Sequence, residues 1–96
     1  MTINEQSRIA LSPNLVLRVE ADDYALLFNP DSASVQILNE TAVEVCQRLD
    51  GRTSLHEILD ALRKLFDGVD PEAERQVLAL VQTLVDKGDA GVIETS

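Results

Sequence analysis

The sequence predicts an α+β fold: an N-terminal three-stranded antiparallel sheet followed by three helices. Three observations carry that expectation. Short apolar and β-branched runs separated by turn signals fill residues 15–39. From residue 42 onward the apolar period changes from two to about 3.6. Cap and stop residues then divide the remainder into three helical stretches.

Residues 1–13 are polar and end at Pro13, so they are expected to form a flexible or loosely draped arm. "LVLRVE" at 15–20 is the first strand, "ADD" a turn and "YALLFN" at 24–29 the second strand. "PDSA" is the next turn. "SVQILN" at 34–39 alternates, with Val35 and Ile37 on one face and Ser34, Gln36 and Leu38 on the other. Short connections make this a meander whose edges are the first and third strands.

Ala42, Val45, Cys46 and Leu49 share one helical face. Asn39 or Thr41 can cap that helix, and Thr41 with Glu44 matches a capping box. Asp50-Gly51 is its stop signal, with Gly51 suited to the left-handed position after the helix. The second helix sets Leu55, Ile58, Leu59, Leu62, Leu65 and Phe66 on its buried side. The third opens at Asp70-Pro71, a cap followed by proline at the first helical position. Ala73, Val77, Leu80, Val81 and Leu84 line its inner face, and Lys87-Gly88 closes it. Leu78 and Val85 widen the stripe beyond the ~100° that a core contact needs. "GVIE" at 91–94 is a short strand or an extended tail.

At 96 residues the chain has the length of one domain, and residues 14–96 are expected to form it. Eight basic against 17 acidic side chains leave a net charge of −9. Such a surface repels phosphate backbones, which argues against a nucleic-acid partner. A single cysteine, Cys46, rules out a disulfide within the chain and fits a cytoplasmic location. The N-terminus has no signal-peptide pattern, and no apolar run approaches the ~20 residues of a membrane span.

Candidates for chemistry are few. Ser54 precedes an apolar periodic run in the pattern S-x-x-E, so a cap with Glu57 accounts for it without a prosthetic group. His56 is the one histidine, and it has no second histidine or cysteine beside it for a metal. Cys46 falls on an apolar face, the place of a small buried hydrophobe. Asp22-Asp23, Asp67, Asp70, Asp86 and Asp89 are turn and cap residues. "DGVDPEAE" lacks the ligand spacing of a calcium loop, and there is no glycine-rich phosphate loop. The chain is therefore expected not to be an enzyme and to need neither metal nor cofactor.

Leu38-Asn39, Thr41-Ala42, Asp50-Gly51, Thr53-Ser54-Leu55 with Glu57-Ile58, and Phe66 form an ordered set. In that order, ahead of a last amphipathic helix, they resemble the PqqD-like family of peptide chaperones, also called RiPP recognition elements. The likeness spans roughly residues 13–94. It implies a winged-helix-like domain that binds the leader segment of a ribosomally made precursor peptide. It also implies presentation of that peptide to a maturation enzyme, often of the radical S-adenosylmethionine type. The leader would lie as an added strand beside the third strand, against the third helix. That places the site at Ser34, Val35, Gln36, Ile37 and Leu38, and at Val77, Leu78, Val81, Leu84 and Val85. An edge strand does offer unpaired N–H and C=O groups to an extended guest. Which parity of the strand faces the guest is not readable from sequence, nor is a choice between monomer and homodimer. The rival reading is a winged-helix DNA-binding regulator, which the net charge and the few basic residues in the helices oppose. An acyl or peptidyl carrier protein is a weaker rival, because residues 15–38 have strand character and Thr53 stands before Ser54.

Overall fold

The protein's structure, a computed structural model, describes residues 3–66 and 68–93. The expectations for Asp67 and for Glu94 at the end of "GVIE" lie outside the described residues, as do residues 1 and 2 of the expected arm. The elements run β1 (Arg8–Leu11), β2 (Val16–Ala21), β3 (Tyr24–Asn29), β4 (Ser34–Asn39), α1 (Glu40–Gln47), β5 (Asp50–Ser54), α2 (Leu55–Leu65), α3 (Pro71–Lys87) and β6 (Ala90–Ile93).

The three expected strands are β2, β3 and β4, an antiparallel sheet in that order with β2 and β4 at its edges. Asp22 and Asp23 connect Ala21 to Tyr24. In the second turn Asn29 Oδ1 accepts from the N–H of Asp31 (2.9 Å), and Ala33 takes a left-handed φ of 59°. The inner face of the sheet buries Ala25, Leu27 and Leu38.

The three expected helices are present, each with a side-chain cap. Asn39, not Thr41, caps α1, its Oδ1 accepting from the N–H of Ala42 (2.8 Å). Asn39 is the last residue of β4 and has extended backbone, so the chain turns from strand to helix without a loop. Ser54 caps α2 in a reciprocal box: its hydroxyl accepts from the N–H of Glu57, whose carboxylate accepts from the N–H of Ser54, both at 3.2 Å. Asp70 caps α3, and Gly88 closes that helix at φ 82°. Leu65, placed by periodicity on the buried side of α2, is half exposed at the last position of the helix.

A second sheet was not visible in the sequence. Its order is β5-β1-β6, with β1 paired antiparallel on both sides. The arm expectation therefore does not hold over Arg8–Leu11, where Ile9 is fully buried. Flanking bonds fasten the segment further. The N–H groups of Leu55 and His56 donate to the carbonyls of Ser7 (3.0 Å) and Glu5 (2.8 Å), and that of Ser12 donates to Asp89 O (2.9 Å).

Gly51 does have positive φ, at 80°, but it lies within β5 and not at the end of α1. There β5 bulges against β1: Arg8 pairs with Ser54 and Ala10 with Asp50, so three residues of β1 lie against five of β5. The Asp50 carboxylate holds the bulge by accepting from the N–H groups of Arg52 (2.8 Å) and Thr53 (2.9 Å). A Cβ on Gly51 would stand 3.1 Å from Ile93 Cγ1 and 3.3 Å from Ala10 Cβ, so close approach as well as φ requires glycine. One core joins both sheets and the helices. It includes Ile9, Leu27, Leu38, Val45, Leu55, Ile58, Leu62, Val77, Val81 and Leu84.

Candidate functional site

The free edge of β4 is the distinctive feature of the first sheet, and local hairpin geometry determines which residues face it. A two-residue connection closes on a pair that exchanges hydrogen bonds, so Ala21↔Tyr24 is such a pair. Sides alternate along a strand, so Tyr24, Leu26 and Phe28 direct their backbone groups to β2. Ala25, Leu27 and Asn29 then direct theirs to β4. The β4 partners of that second set are Leu38, Gln36 and Ser34. Val35 and Ile37 are left with N–H and C=O groups pointing to the open side, as is the N–H of Asn39, whose carbonyl begins α1.

Beside that edge lies a cleft of about 220 Å³. Ile37, Leu38, Asn39, Thr41 and Ala42 form one wall, and Ala73, Gln76, Val77 and Leu80 of α3 form the other. The α3 residues have the i, i+3, i+4, i+7 spacing of a single helical stripe. The Asp70 cap fixes where that stripe begins. Arg63 of α2 ties down the same end of α3, donating to Glu74 Oε1 (2.7 Å) and to Asp60 Oδ1 (2.7 Å). No ionisable side chain lines the cleft. Its lining mixes apolar side chains with Asn39, Thr41 and Gln76, and it offers no acid or base.

The expected site residues separate into groups. Val35 and Ile37 are exposed on the outer face of β4, at 56% and 73%. Ser34 and Gln36 are half-buried on the inner face, and among the described residues Gln36 Oε1 is buried with no hydrogen-bond partner. Leu38 and Val77 line the cleft, though both belong to the buried core. Val81 and Leu84 are fully buried. Leu78 and Val85 are half-buried against the core on the face of α3 that carries Gln82, whose Oε1 accepts from the N–H of Ile3 (3.0 Å). The surplus apolar positions of α3 thus face the N-terminal segment. Sequence reasoning assigned Ala73 and Leu80 to the inner stripe but not to a cleft, and it passed over Gln76. The signal was their register with Val77.

The other candidates do not assemble into a chemical site. Burial pushes the Cys46 thiol up to about 11, which keeps it protonated and inert at neutral pH. His56 stands near two carboxylates, Glu5 (3.8 Å) and Asp60 (3.5 Å). Among the described residues no group of three potential ligands could hold a metal ion. No helix in them is long and apolar enough to cross a membrane.

Comparison with known proteins accords with this geometry. Residues 24–88 match the family described as coenzyme PQQ synthesis protein D (PqqD). The chain is 33% identical over 89 residues to a PqqA binding protein of Rhodopseudomonas palustris (strain BisB5), covering 92% of this chain and 85% of that protein. It is 40% identical over 50 residues to a PqqA binding protein of R. palustris (strain ATCC BAA-98 / CGA009), covering 52% and 49% respectively. Among solved structures it is similar to a lasso peptide synthetase B1 complexed with the leader peptide. That match has a TM-score of 0.67 and 28% identity, and it covers 86% of this chain and 96% of the other. A family match over more than half the chain, together with a relative aligned over nearly all of it, shows that this chain belongs to the PqqD-like family.

Proposed function

We propose that the chain binds the leader segment of a ribosomally made precursor peptide as a strand added to β4, and presents it to a maturation enzyme of the radical S-adenosylmethionine type. The observation that carries the reading is the open edge of β4 lying beside the cleft walled by α3. Backbone groups of Val35, Ile37 and Asn39 supply sequence-independent hydrogen bonds. The cleft supplies selectivity by taking alternate apolar side chains. Support comes from relatives named for binding PqqA and from a similar structure solved with a leader peptide. The choice of radical enzyme rests on the family resemblance alone. The DNA-binding alternative gains nothing from the helices, because Arg63 and Arg75 are both engaged by neighbouring carboxylates.

The test is a pair of proline variants titrated with synthetic leader peptides. Ile37→Pro removes an N–H that faces the open side. It should leave the fold largely intact and weaken leader binding several-fold or more, at ~0.5–1.5 kcal/mol per lost bond. Gln36→Pro removes an N–H committed to β3 and should lower stability itself. Full leader affinity in a folded Ile37→Pro protein would rule out strand addition at this edge.

A further inference from the structure

We infer that Gln36 selects the guest peptide by sequence: the guest carries an apolar side chain opposite Leu38 and, two residues from it, a neutral hydrogen-bond donor opposite Gln36. The inference rests on strand addition at β4 and names what the added strand must contain. β4 sets Ser34, Gln36 and Leu38 on its inner face. Leu27, the cross-strand partner of Gln36, and Leu38, the next inner residue along the strand, are both buried. An aliphatic side chain is the ordinary occupant of such a position. Gln36 instead brings an amide whose Oε1 is the one buried side-chain oxygen or nitrogen without a hydrogen-bond partner among the described residues. Neighbouring polar side chains are engaged: Ser34 Oγ lies 2.9 Å from Ser32 Oγ, Asn39 Oδ1 caps α1, and Asn29 Nδ2 donates to Asp89 Oδ1 (2.8 Å). A buried acceptor left unmet in a folded chain calls for a reason, and a ligand that supplies the donor is one.

Strand geometry brings the guest to that acceptor. The backbone groups of Gln36 are directed to β3, so towards a guest Gln36 occupies a non-hydrogen-bonded site. Every strand pair among the described residues is antiparallel. In an antiparallel pair, residues opposed at such a site bring their side chains closest, with Cα atoms ~4.5 Å apart. The guest residue opposite Gln36 therefore sets its side chain on the same inner face, within reach of the amide. Two positions along, the guest side chain stands opposite Leu38 and meets the aliphatic part of the cleft, Ala42, Val77 and Leu80. The added strand itself closes the edge to water, so an apolar side chain opposite Gln36 leaves the acceptor unmet and is selected against. Ser, Thr, Asn or Gln supplies the missing donor. Lys or Arg would donate too, but would bring a charge against the buried Leu27 and Leu38.

A displayed library of random peptides, selected in parallel on the wild-type chain, Gln36→Leu and Gln36→Met, reads the preference directly. Wild type should enrich an apolar residue with Ser, Thr, Asn or Gln two positions from it. Both variants should keep the apolar residue and enrich an aliphatic one in place of the donor. For a synthetic peptide made from a wild-type winner, exchange of the donor for Val should weaken binding to wild type by about tenfold. The same exchange should leave binding to Gln36→Leu unchanged or improve it, which isolates the pairwise contact. The wild-type selection decides the matter even where a variant fails to fold. The inference is overturned if wild type enriches an aliphatic residue, Lys or Arg in place of the neutral donor. It is also overturned if the folded variants select the same residue as wild type, or if the exchange costs wild type and Gln36→Leu equally. Enriched apolar peptides without the donor would sink the role of Gln36 and leave strand addition standing. Enrichment of no peptide by any of the three proteins would overturn both.

Discussion

The two sheets have three strands each and are built in opposite ways. β2, β3 and β4 are consecutive, joined by connections of two and four residues, and both outer strands keep an open edge. β5, β1 and β6 come from the middle, the start and the end of the chain, and the central strand has a partner on each side. Two isoleucines show the consequence. Ile9 of β1 is fully buried, whereas Ile37 of β4 is 73% exposed. The closed sheet joins distant parts of the chain to one core. The open sheet leaves backbone and apolar surface available, and that surface is where the function is proposed to lie.

Substitution of those two residues tests the contrast most severely. Ile9→Ala removes a wholly buried side chain from a strand that joins the two ends of the chain. It should destabilise by about 2–5 kcal/mol, a large part of a small domain's total. Ile37→Ala should shift stability by ~0.5 kcal/mol or less, as an exposed position does. Denaturant midpoints compare them directly. Similar losses at both sites would mean that the N-terminal segment is the loosely draped arm its composition implied.

The same contrast explains what the sequence reveals. Hairpins and helices are local, and their signals are local: Asp22-Asp23, the alternation of β4, Ser54 with Glu57, Asp70 with Pro71. "RIAL" is too short to show a period, and its partners lie 40 or more residues away. Gly51 was legible as a left-handed residue. Its position in a bulge against Ala10 and Ile93 was not, because neither neighbour is near in sequence. At the candidate site, the edge strand was legible but the helix face was not. Val81 and Leu84 are as apolar as Val77 and Leu80, and only the packing angle of α3 separates core from cleft. Alternation likewise divides β4 into two faces without saying which is inside. A slip of one residue would exchange Gln36 for Ile37.

That ambiguity is open to measurement. Gln36 carries a buried acceptor with no partner in the described residues, and an unmet buried group costs ~1–3 kcal/mol. Gln36→Leu keeps a comparable volume and removes the unmet group, so the midpoint should rise by the equivalent of ~1 kcal/mol. A fall in stability would show that the amide is satisfied in solution. If leader affinity drops while stability rises, the amide serves the guest strand, and the open sheet has kept a polar group inside for binding at the expense of folding.

The smallest effect expected lies in the closed sheet, at the bulge of β5. The Asp50 carboxylate is held below its ordinary value chiefly by the backbone N–H groups of Arg52 and then Thr53. Its folded pKa is therefore lower than the ~3.9 of an unfolded aspartate. The stability it contributes is fully present above that unfolded value and is lost as pH falls through the folded one. The side chain is exposed, so solvent screening keeps the contribution small. Asp50→Ala removes both acceptors, and the gap between wild type and variant should be constant from neutral pH down to about pH 5 and should close at lower pH. Asp50→Asn retains one acceptor oxygen without the charge, so it should fall between the two at neutral pH and show no such closure. A gap that stays constant into strong acid would mean that the bulge is held by Gly51 and the β1 pairing alone, with the carboxylate a bystander.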